Sequence, residues 1–585
     1  MFLRKSRRRK DGKVHEYYSV VENRRVAGGR HVQQTLLHLG EITDGQKKSW
    51  NRAIDVVQGQ HMRQMTLFAD NQATEPSTSD AVAVRLNELE LRRPRQWGAC
   101  WLACDLWEQL DLRRFWEKRL GEGAKGRQWE RVLRLLTVYR LLSPGSEWKL
   151  HRQWFDRTAM GDLLGESFQI AQKDRLYRCH DHIVAHKTDL FRHLKQRWEE
   201  LFGARFDVLL YDLTSTYFES PPPKSADDKR KHGYSRDKRS DCVQIVIALI
   251  VTPDGLPLSY EVLSGNTADN TTLSDFLENI ETTYGKADRI WVMDRGIPTE
   301  ETLSQMRATG VQYLVGTPKG RLSKLEKDLT EQPWTQVRDQ VQVKLLPREG
   351  ETYIHARSSA RAQKEKAIKL RRLRKLLKGL EKLRQSQDRL TRDSLLLKLG
   401  ALKKDAGRSY HLLKIHVPKE GQPITLHTFH WQLDMHKYRQ THRREGSYLL
   451  RTNQPVDDAG TTWEHYLRLT EVEEAFRNLK GDLSIRPIYH RVESRIEAHV
   501  FISFLAYCLH VTLRIKCRRH ALGLTPRSIL EQLSELQMLD VHLPTTDNRN
   551  IKMTRYTRPN KAQQLLLAQL QLTLPAQPPP EITTA

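Results

Sequence analysis

The chain has 585 residues, 38% of them hydrophobic, which excludes a single small core and points to two to four domains. Its 97 basic residues against 71 acidic ones leave a formal charge of +26, which favours a polyanion partner, although an unrelated basic enzyme has the same balance. Six cysteines in this length exclude a disulfide framework and fit a reducing cytoplasm, and neither of the longest apolar runs, Cys242–Val251 or Val500–Leu513, reaches a membrane span.

In chain order, the start MFLRKSRRRK has charge with no apolar stretch behind it, so it reads as a basic leading arm and not as a signal peptide. Alternating residues in HEYYSVV and HVQQTLLHL, with a turn at AGG (27–29), predict a small β unit over 1–42, a hairpin or three-stranded sheet. Residues 43–84 read as a helix to 67 followed by a polar linker. From Trp97 to about Phe202 apolar positions recur at three- and four-residue spacing, which predicts a helical domain over 85–204. Basic residues stand beside aromatics there, as in a DNA-binding domain, and a packed all-α domain with a solvated basic face has the same pattern. Cys100 and Cys104 lie one helical turn apart beside Trp101 and Trp107, a core arrangement. Cys179, His180, His182 and His186 could suggest a metal site, but no CxxC pair completes a zinc set.

The pattern changes at Phe206. FDVLLYDLTSTYF, CVQIVIALIV and LPLSYEVLSGN read as three consecutive strands, with the basic loop KHGYSRDKRSD between the first two. A helix over TLSDFLENIETTYG, the strand RIWVMD, a helix from Thr299 and the strand VQYLVGTP complete the order of a ribonuclease H-like core over 205–318. Residues 319–455 interrupt that core. They contain a long basic helical stretch, Arg361–Arg408, with leucines at 370, 373, 377 and 380, and strands in YHLLKIHV, PITLHTFHWQL and GSYLLRTN. Trp431 in this insertion could stack on an unpaired base, although a buried strand tryptophan is the plainer reading. The core resumes over 456–520 with helices at 463–483 and 493–516, and 521–585 reads as helices with a disordered Pro-rich tail. The fold class is therefore multidomain α+β: a ribonuclease H-like α/β core with a large α+β insertion, preceded by a small β unit and a helical domain.

Three carboxylates stand out on that scaffold. Asp212 ends the first core strand and Asp294 ends the fourth; alone, each is an ordinary strand-end residue bonding nearby amides. In a ribonuclease H-like sheet these strands are parallel neighbours, so the two side chains fall side by side. They repel unless a cation lies between them, and oxygen ligands suit Mg2+. In the helix 463–483 the apolar stripe is Leu469, Val472, Phe476, Leu479 and Leu483. At about 100° per residue, Glu473 falls roughly 80° from its centre, bordering a cleft, whereas Glu474 faces water and Glu471 lies on the other flank. Tyr466 and Lys480, seven residues either side of Glu473, share its flank, as they also would in an ordinary surface row.

Tyr466, Glu473 and Lys480 at this spacing resemble the YREK signature of bacterial insertion-sequence DDE transposases of the IS-four type. VEEAFRNLKGDLSIRPIYHRVESRIEAHVFISFLAYCL is similar to the branch with a long insertion in its core, as are YDLTSTYFES, GYSRDKRSD, LSGNTADNTTL and VMDRGI, in the same order. The opening hairpin ending HLGEI and PRQWGACWLACDLW extend the likeness over nearly the whole chain. The resemblance implies that Asp212, Asp294 and Glu473 are catalytic and bind two Mg2+ ions, with Mn2+ as a substitute, and that Tyr466 and Lys480 hold the DNA end. The signature's arginine falls on Leu469, so Arg468 or Arg477 would supply that contact. It further implies cleavage at inverted-repeat ends, transfer of 3′-OH ends to target DNA, double-stranded DNA as partner, a homodimer on paired ends, and a cytoplasmic, nucleoid-associated place with no membrane. A transposase-derived DNA-binding protein that no longer cuts, and a ribonuclease H-like nuclease that hydrolyses without joining, are the alternatives.

Overall fold

The computed structural model describes residues 1–10, 13–25, 31–67, 82–268, 273–285, 289–294, 297–317, 325, 328–329, 332–338, 341–386, 390–456 and 459–584. The expected turn at 27–29 and most of the expected linker lie outside them. At the N-terminus β1 (Phe2–Lys10), β2 (Lys13–Arg25) and β3 (His31–Gly40) form an antiparallel three-stranded sheet. The basic segment expected to be an arm is β1 itself. Leu3 packs against the core, while Lys5 and Arg7 meet Glu16 of the neighbouring strand at 2.6 and 3.1 Å. The helix α1 (Asp44–Leu67) follows, and the Trp50 indole N–H donates to the Leu522 carbonyl at 2.8 Å, tying this unit to the far end of the chain.

The next segment is not wholly helical, because it opens with β4 (Glu90–Gln96). It then runs through α2 (Gly98–Gln109), α3 (Leu112–Arg119), α4 (Gly123–Leu142), the short α5 (Glu147–Lys149) and α6 (Met160–Leu164), α7 (Lys173–Ile183) and α8 (Lys187–Phe202). Cys100 and Cys104 are buried in its core.

The catalytic-core pattern folds as β5 (Val208–Phe218), β6 (Val243–Val251), β7 (Pro257–Ser264), α9 (Leu273–Tyr284), β8 (Ile290–Met293), α10 (Glu300–Ala308) and β9 (Gln312–Gly316). All nine residues of β6 are buried, as a β-branched run covered on both faces must be. The strands lie in the order β7-β6-β5-β8-β9, with β5, β8 and β9 parallel and β6 antiparallel. That is a ribonuclease H-like sheet.

The interrupting segment does not stand apart from it. Its strands β10 (Thr335–Arg338), β11 (Val341–Arg348), β12 (Glu351–Ser358) and β15 (Ser447–Thr452) extend the same sheet beyond β9 to nine strands. Between them the long basic run folds as two helices, α11 (Ser359–Gln385) and α12 (Arg392–Ala406), followed by β13 (Leu413–His416), β14 (His430–Leu433) and α13 (Met435–Arg443). Leu373, Leu376, Leu380 and Leu383 of α11 close on Leu395 and Leu399 of α12 in a separate small core, so the leucine row is spent within the chain. Trp431 lies on β14 under the guanidinium of Arg384, 5.1 Å from its ring.

After β15 come α14 (Ala459–Leu467), α15 (Leu469–Lys480) and α16 (Glu493–His520). By length and composition α16 is apolar enough to cross a membrane, with a mean hydropathy of 1.5, but 94% of that window is buried inside the protein, against α2, α4 and α7. The end of the chain corrects the expected disordered tail. α17 (Pro526–Ser534), β16 (Gln537–Pro544), β17 (Arg549–Tyr556), α18 (Lys561–Gln569) and β18 (Glu581–Thr584) include three strands, which join the distant β4 in the order β18-β17-β16-β4. Leu572 and Leu574 anchor the Pro-rich stretch on the core, and the prolines precede the edge strand, where no ladder donor is needed.

Candidate active site

Asp212 sits mid-strand and not at a strand end, since β5 runs on to Phe218 paired with β6. The parallel pairing of β5 with β8 does stop there: its last partners are Tyr211 and Met293, so the next step along both strands reaches Asp212 and Asp294. Asp212 is half-buried, and its Oδ1 accepts the Leu213 N–H at 2.8 Å. Burial pushes its carboxyl up to about 7; the charges of Asp294 and Glu473 push the same way, against the Leu213 N–H and the Arg236 guanidinium. The protein thus brings three carboxylates from a strand, a strand end and a helix within electrostatic reach of one another.

Asp294 is exposed, directly after β8. Glu473 is exposed on α15, which packs over β5 and β6 through Leu469, Val472, Phe476 and Leu479, all buried. Glu474 does not face open water as expected. It meets Arg514 of α16 at 3.3 Å, and Glu471 meets Arg514 and Arg518 at 3.0 and 2.8 Å. These two acids therefore brace α15 on α16.

The expected continuous helix 463–483 is broken at Arg468, where the Glu471 N–H donates to the Arg468 carbonyl three residues back at 2.8 Å. Tyr466 consequently belongs to α14, which rests on β8 and β9, and its ring lies against Trp463 (6.2 Å) and Tyr448 (6.3 Å). The expected row of three is a row of two, Glu473 and Lys480, on one straight helix. Arg468 and Arg477 are exposed, whereas Leu469, in the place of the signature's arginine, is buried.

A buried acid unforeseen from sequence organises the rim. Asp237, in the basic loop after β5, accepts from Lys480 Nζ at 2.9 Å and pairs through the same oxygen with Arg486. Burial holds the Lys480 ammonium below its usual range, against the pull of Asp237. Beside it the Arg236 N–H donates to Ser215 Oγ at 3.3 Å, which anchors the loop to β5 and sets the Arg236 charge near Asp212. The basic composition of this loop was visible in the sequence, but no period or motif marks which of its residues turns inward.

Three carboxylates that offer oxygen donors, with mutual repulsion that Arg236 tempers, fit a hard divalent cation, and the residues present suit such an ion. Comparison with known proteins agrees with this chemistry. Residues 203–509 match the family model described as Transposase DDE domain, and residues 3–67 match IS1634 family transposase, N-terminal domain. No curated protein matches the chain. DDE transposases bind DNA and cut it with the help of divalent metal ions. With the DDE model covering more than half of the chain and a ribonuclease H-like sheet beneath it, the protein belongs to the DDE transposases of insertion sequences, enzymes of DNA transposition.

Proposed function

We propose that Asp212, Asp294 and Glu473 are the metal-binding catalytic acids, and that the enzyme is of the IS-four type with a degenerate YREK signature. It would cut at the inverted-repeat ends of its element and join the freed 3′-OH ends to target DNA. What supports this reading is geometry: Asp212 and Asp294 directly follow the last paired residues of the parallel strands β5 and β8, and the Asp212 carboxyl, pushed up to about 7 by burial first, also feels the charges of Asp294 and Glu473. The three acids would hold two Mg2+ ions, with Mn2+ as a substitute. When bound, the ions activate the attacking oxygen and offset charge on the departing one. The chain's own part is to give up the Asp212 proton, to hold the three carboxylates on rigid elements, and to set Arg236 where it tempers their repulsion.

Lys480, Tyr466 and the exposed Arg468 and Arg477 would hold the DNA end. Lys480 shares the helix of Glu473, and both arginines stand within five residues of that acid, which supports a phosphate path along α15. The N-terminal β unit and the helical region 85–204 would read the element's ends. The insertion would add backbone contacts, since α11 turns Lys366, Arg371, Arg374 and Lys378 to solvent. Joining needs two ends held at once, so the working form would be a homodimer on paired ends, in the cytoplasm with the nucleoid.

The test is cleavage and strand transfer on a DNA end with Mg2+. Asp294→Asn and Glu473→Gln should each lower cleavage by on the order of a thousandfold while DNA binding stays within about threefold. Glu474→Gln should keep cutting. Wild-type rates from Glu473→Gln would remove that residue from the centre, and cleavage without transfer would make the enzyme a nuclease.

A further inference from the structure

The helix that carries Glu473 starts afresh at Leu469, so its rotation about its own axis is not inherited from α14. Its apolar stripe settles which side lies on β5 and β6, but hydrophobic contact has no direction of its own. At about 100° per residue, Glu471 and Glu473 leave α15 on nearly opposite sides. Side-chain tips stand roughly 5–6 Å from a helix axis, so a turn of about 10° moves the Glu473 carboxylate by about 1 Å. A misplacement of about that size can cost a hundredfold in rate. Whatever holds Glu471 therefore sets where Glu473 points.

Glu471 is held by two arginines of α16. Arg514 Nη1 lies 3.0 Å from its Oε2, and Arg518 Nη2 donates to its Oε1 at 2.8 Å. Its charge is thus spent within the protein, although it stands two residues from a proposed metal ligand. Arg514 is 5% exposed, so water screens its charge little. The same guanidinium is fixed to the catalytic sheet, because Nη2 donates to the Asp254 carbonyl at 2.6 Å in the turn between β6 and β7. Gly255 follows at a φ of +81°, and a Cβ there would lie 1.9 Å from that nitrogen, so any other residue pushes the guanidinium aside. The Tyr507 hydroxyl donates to the Gly255 carbonyl at 2.8 Å and ties the turn to α16 a second time. β6 pairs with β5, with Leu249 opposite Asp212. Arg514 therefore stands between the strands that hold Asp212 and the helix that holds Glu473. Its Nη1 makes no aligned hydrogen bond, so charge joins it to Glu471. Glu474, at 3.3 Å and 37% exposed, is better screened and contributes less.

We propose that Arg514 is a positioning residue for the reaction: anchored on the β6–β7 turn, it sets the rotation of α15 through Glu471 and so aims Glu473 at Asp212 and Asp294. That role rests on Glu473 being one of the proposed metal-binding acids.

The test separates metal binding from cutting in the full chain. Without DNA, the Mg2+ concentration that gives half of the rise in melting temperature reports on the floor of the site. With saturating DNA, the cleavage rate reports on the chemistry. Arg514→Gln should raise the Mg2+ midpoint about tenfold and lower the cleavage rate about a hundredfold, with DNA affinity within about threefold of wild type. Arg514→Lys keeps the charge and should recover most of both losses. Gly255→Ala, which displaces the guanidinium, and Glu471→Gln should raise the midpoint too, and these two decide the matter if Arg514→Gln does not fold. Variants that melt earlier yet keep the wild-type midpoint and rate would make Arg514 a packing residue and overturn the proposal. An inactive Glu473→Gln beside a fully active Arg514→Gln would refute the positioning role alone, whereas an active Glu473→Gln would refute the reading beneath it.

Discussion

The floor and the rim of the candidate active site solve opposite electrostatic problems with residues only a few positions apart. On the floor, Asp212 is crowded by Asp294 and Glu473, and its carboxyl is pushed up to about 7 by burial and by that repulsion. On the rim, the buried Asp237 side chain sits between Lys480 and Arg486, so its charge is matched. The floor is an anionic site short of cations, and the rim is a cationic site supplied with an anion by the protein itself. This contrast is what the proposed roles of the three acids and of Lys480 require of a surface that takes a metal-bound phosphodiester.

The strongest way to break that comparison is to remove the rim's anion. Asp237→Asn leaves Lys480, which is mostly buried, and Arg486 facing each other without a shared carboxylate. Unfolding in urea should show a loss of about 3 kcal/mol, the low end of what breaking a buried pair costs. If the variant is as stable as wild type, Asp237 is not the organiser the geometry suggests.

The floor should respond with the opposite sign. An unfolded aspartate loses its proton near pH 4, whereas folded Asp212 keeps it to about 7. Between those values the folded state binds more protons than the unfolded one, so the stability that Asp212 contributes falls as pH rises and levels off above about 7. Asp212→Asn removes this penalty. Without metal at pH 8 the variant should be more stable than wild type, by on the order of 2 kcal/mol. Mg2+ should stabilise wild type, increasingly from pH 6 to 8 as its binding ceases to compete with the proton, and should leave the variant unmoved. Melting curves with and without Mg2+ across that range decide it, and a wild type indifferent to Mg2+ would refute the floor as a metal site.

Much of this was legible because it is local. The core strands announce themselves as apolar runs of strand length, and their order leads to the neighbouring ends of β5 and β8. The stripe from Leu469 to Leu479 shows which side of α15 is buried. What escaped depends on partners far away in sequence. Arg468 and Leu469 are good helix formers with no Gly or Pro nearby, so nothing local signals the break between α14 and α15. Glu474 was assigned to water because its partner, Arg514, lies on another helix. The C-terminal strands were hidden because the sheet they form is completed by β4, which pairs with β16 from more than four hundred residues earlier, and prolines disguised the last of them. Of the Cys179–His186 cluster, His180 meets the Glu147 carboxylate at 3.3 Å, and His182 packs against Trp129, 4.9 Å away.

Lys480 offers the finest division between floor and rim. In the resting protein its ammonium is engaged with Asp237, and a DNA end must compete for it. If Lys480 transfers to a phosphate on binding, one condensed counterion fewer is released by Lys480→Ala, and the salt slope of binding should shrink by about one. The affinity lost at moderate salt should then be small, because freeing Lys480 from Asp237 offsets part of what the phosphate contact contributes. Combining the change with Asp237→Asn separates the two roles: the double variant should keep the shallower slope, since only the lysine sets it. A slope unchanged in Lys480→Ala would mean that the ion pair persists in the complex and that Lys480 holds the loop and Arg236, not the DNA.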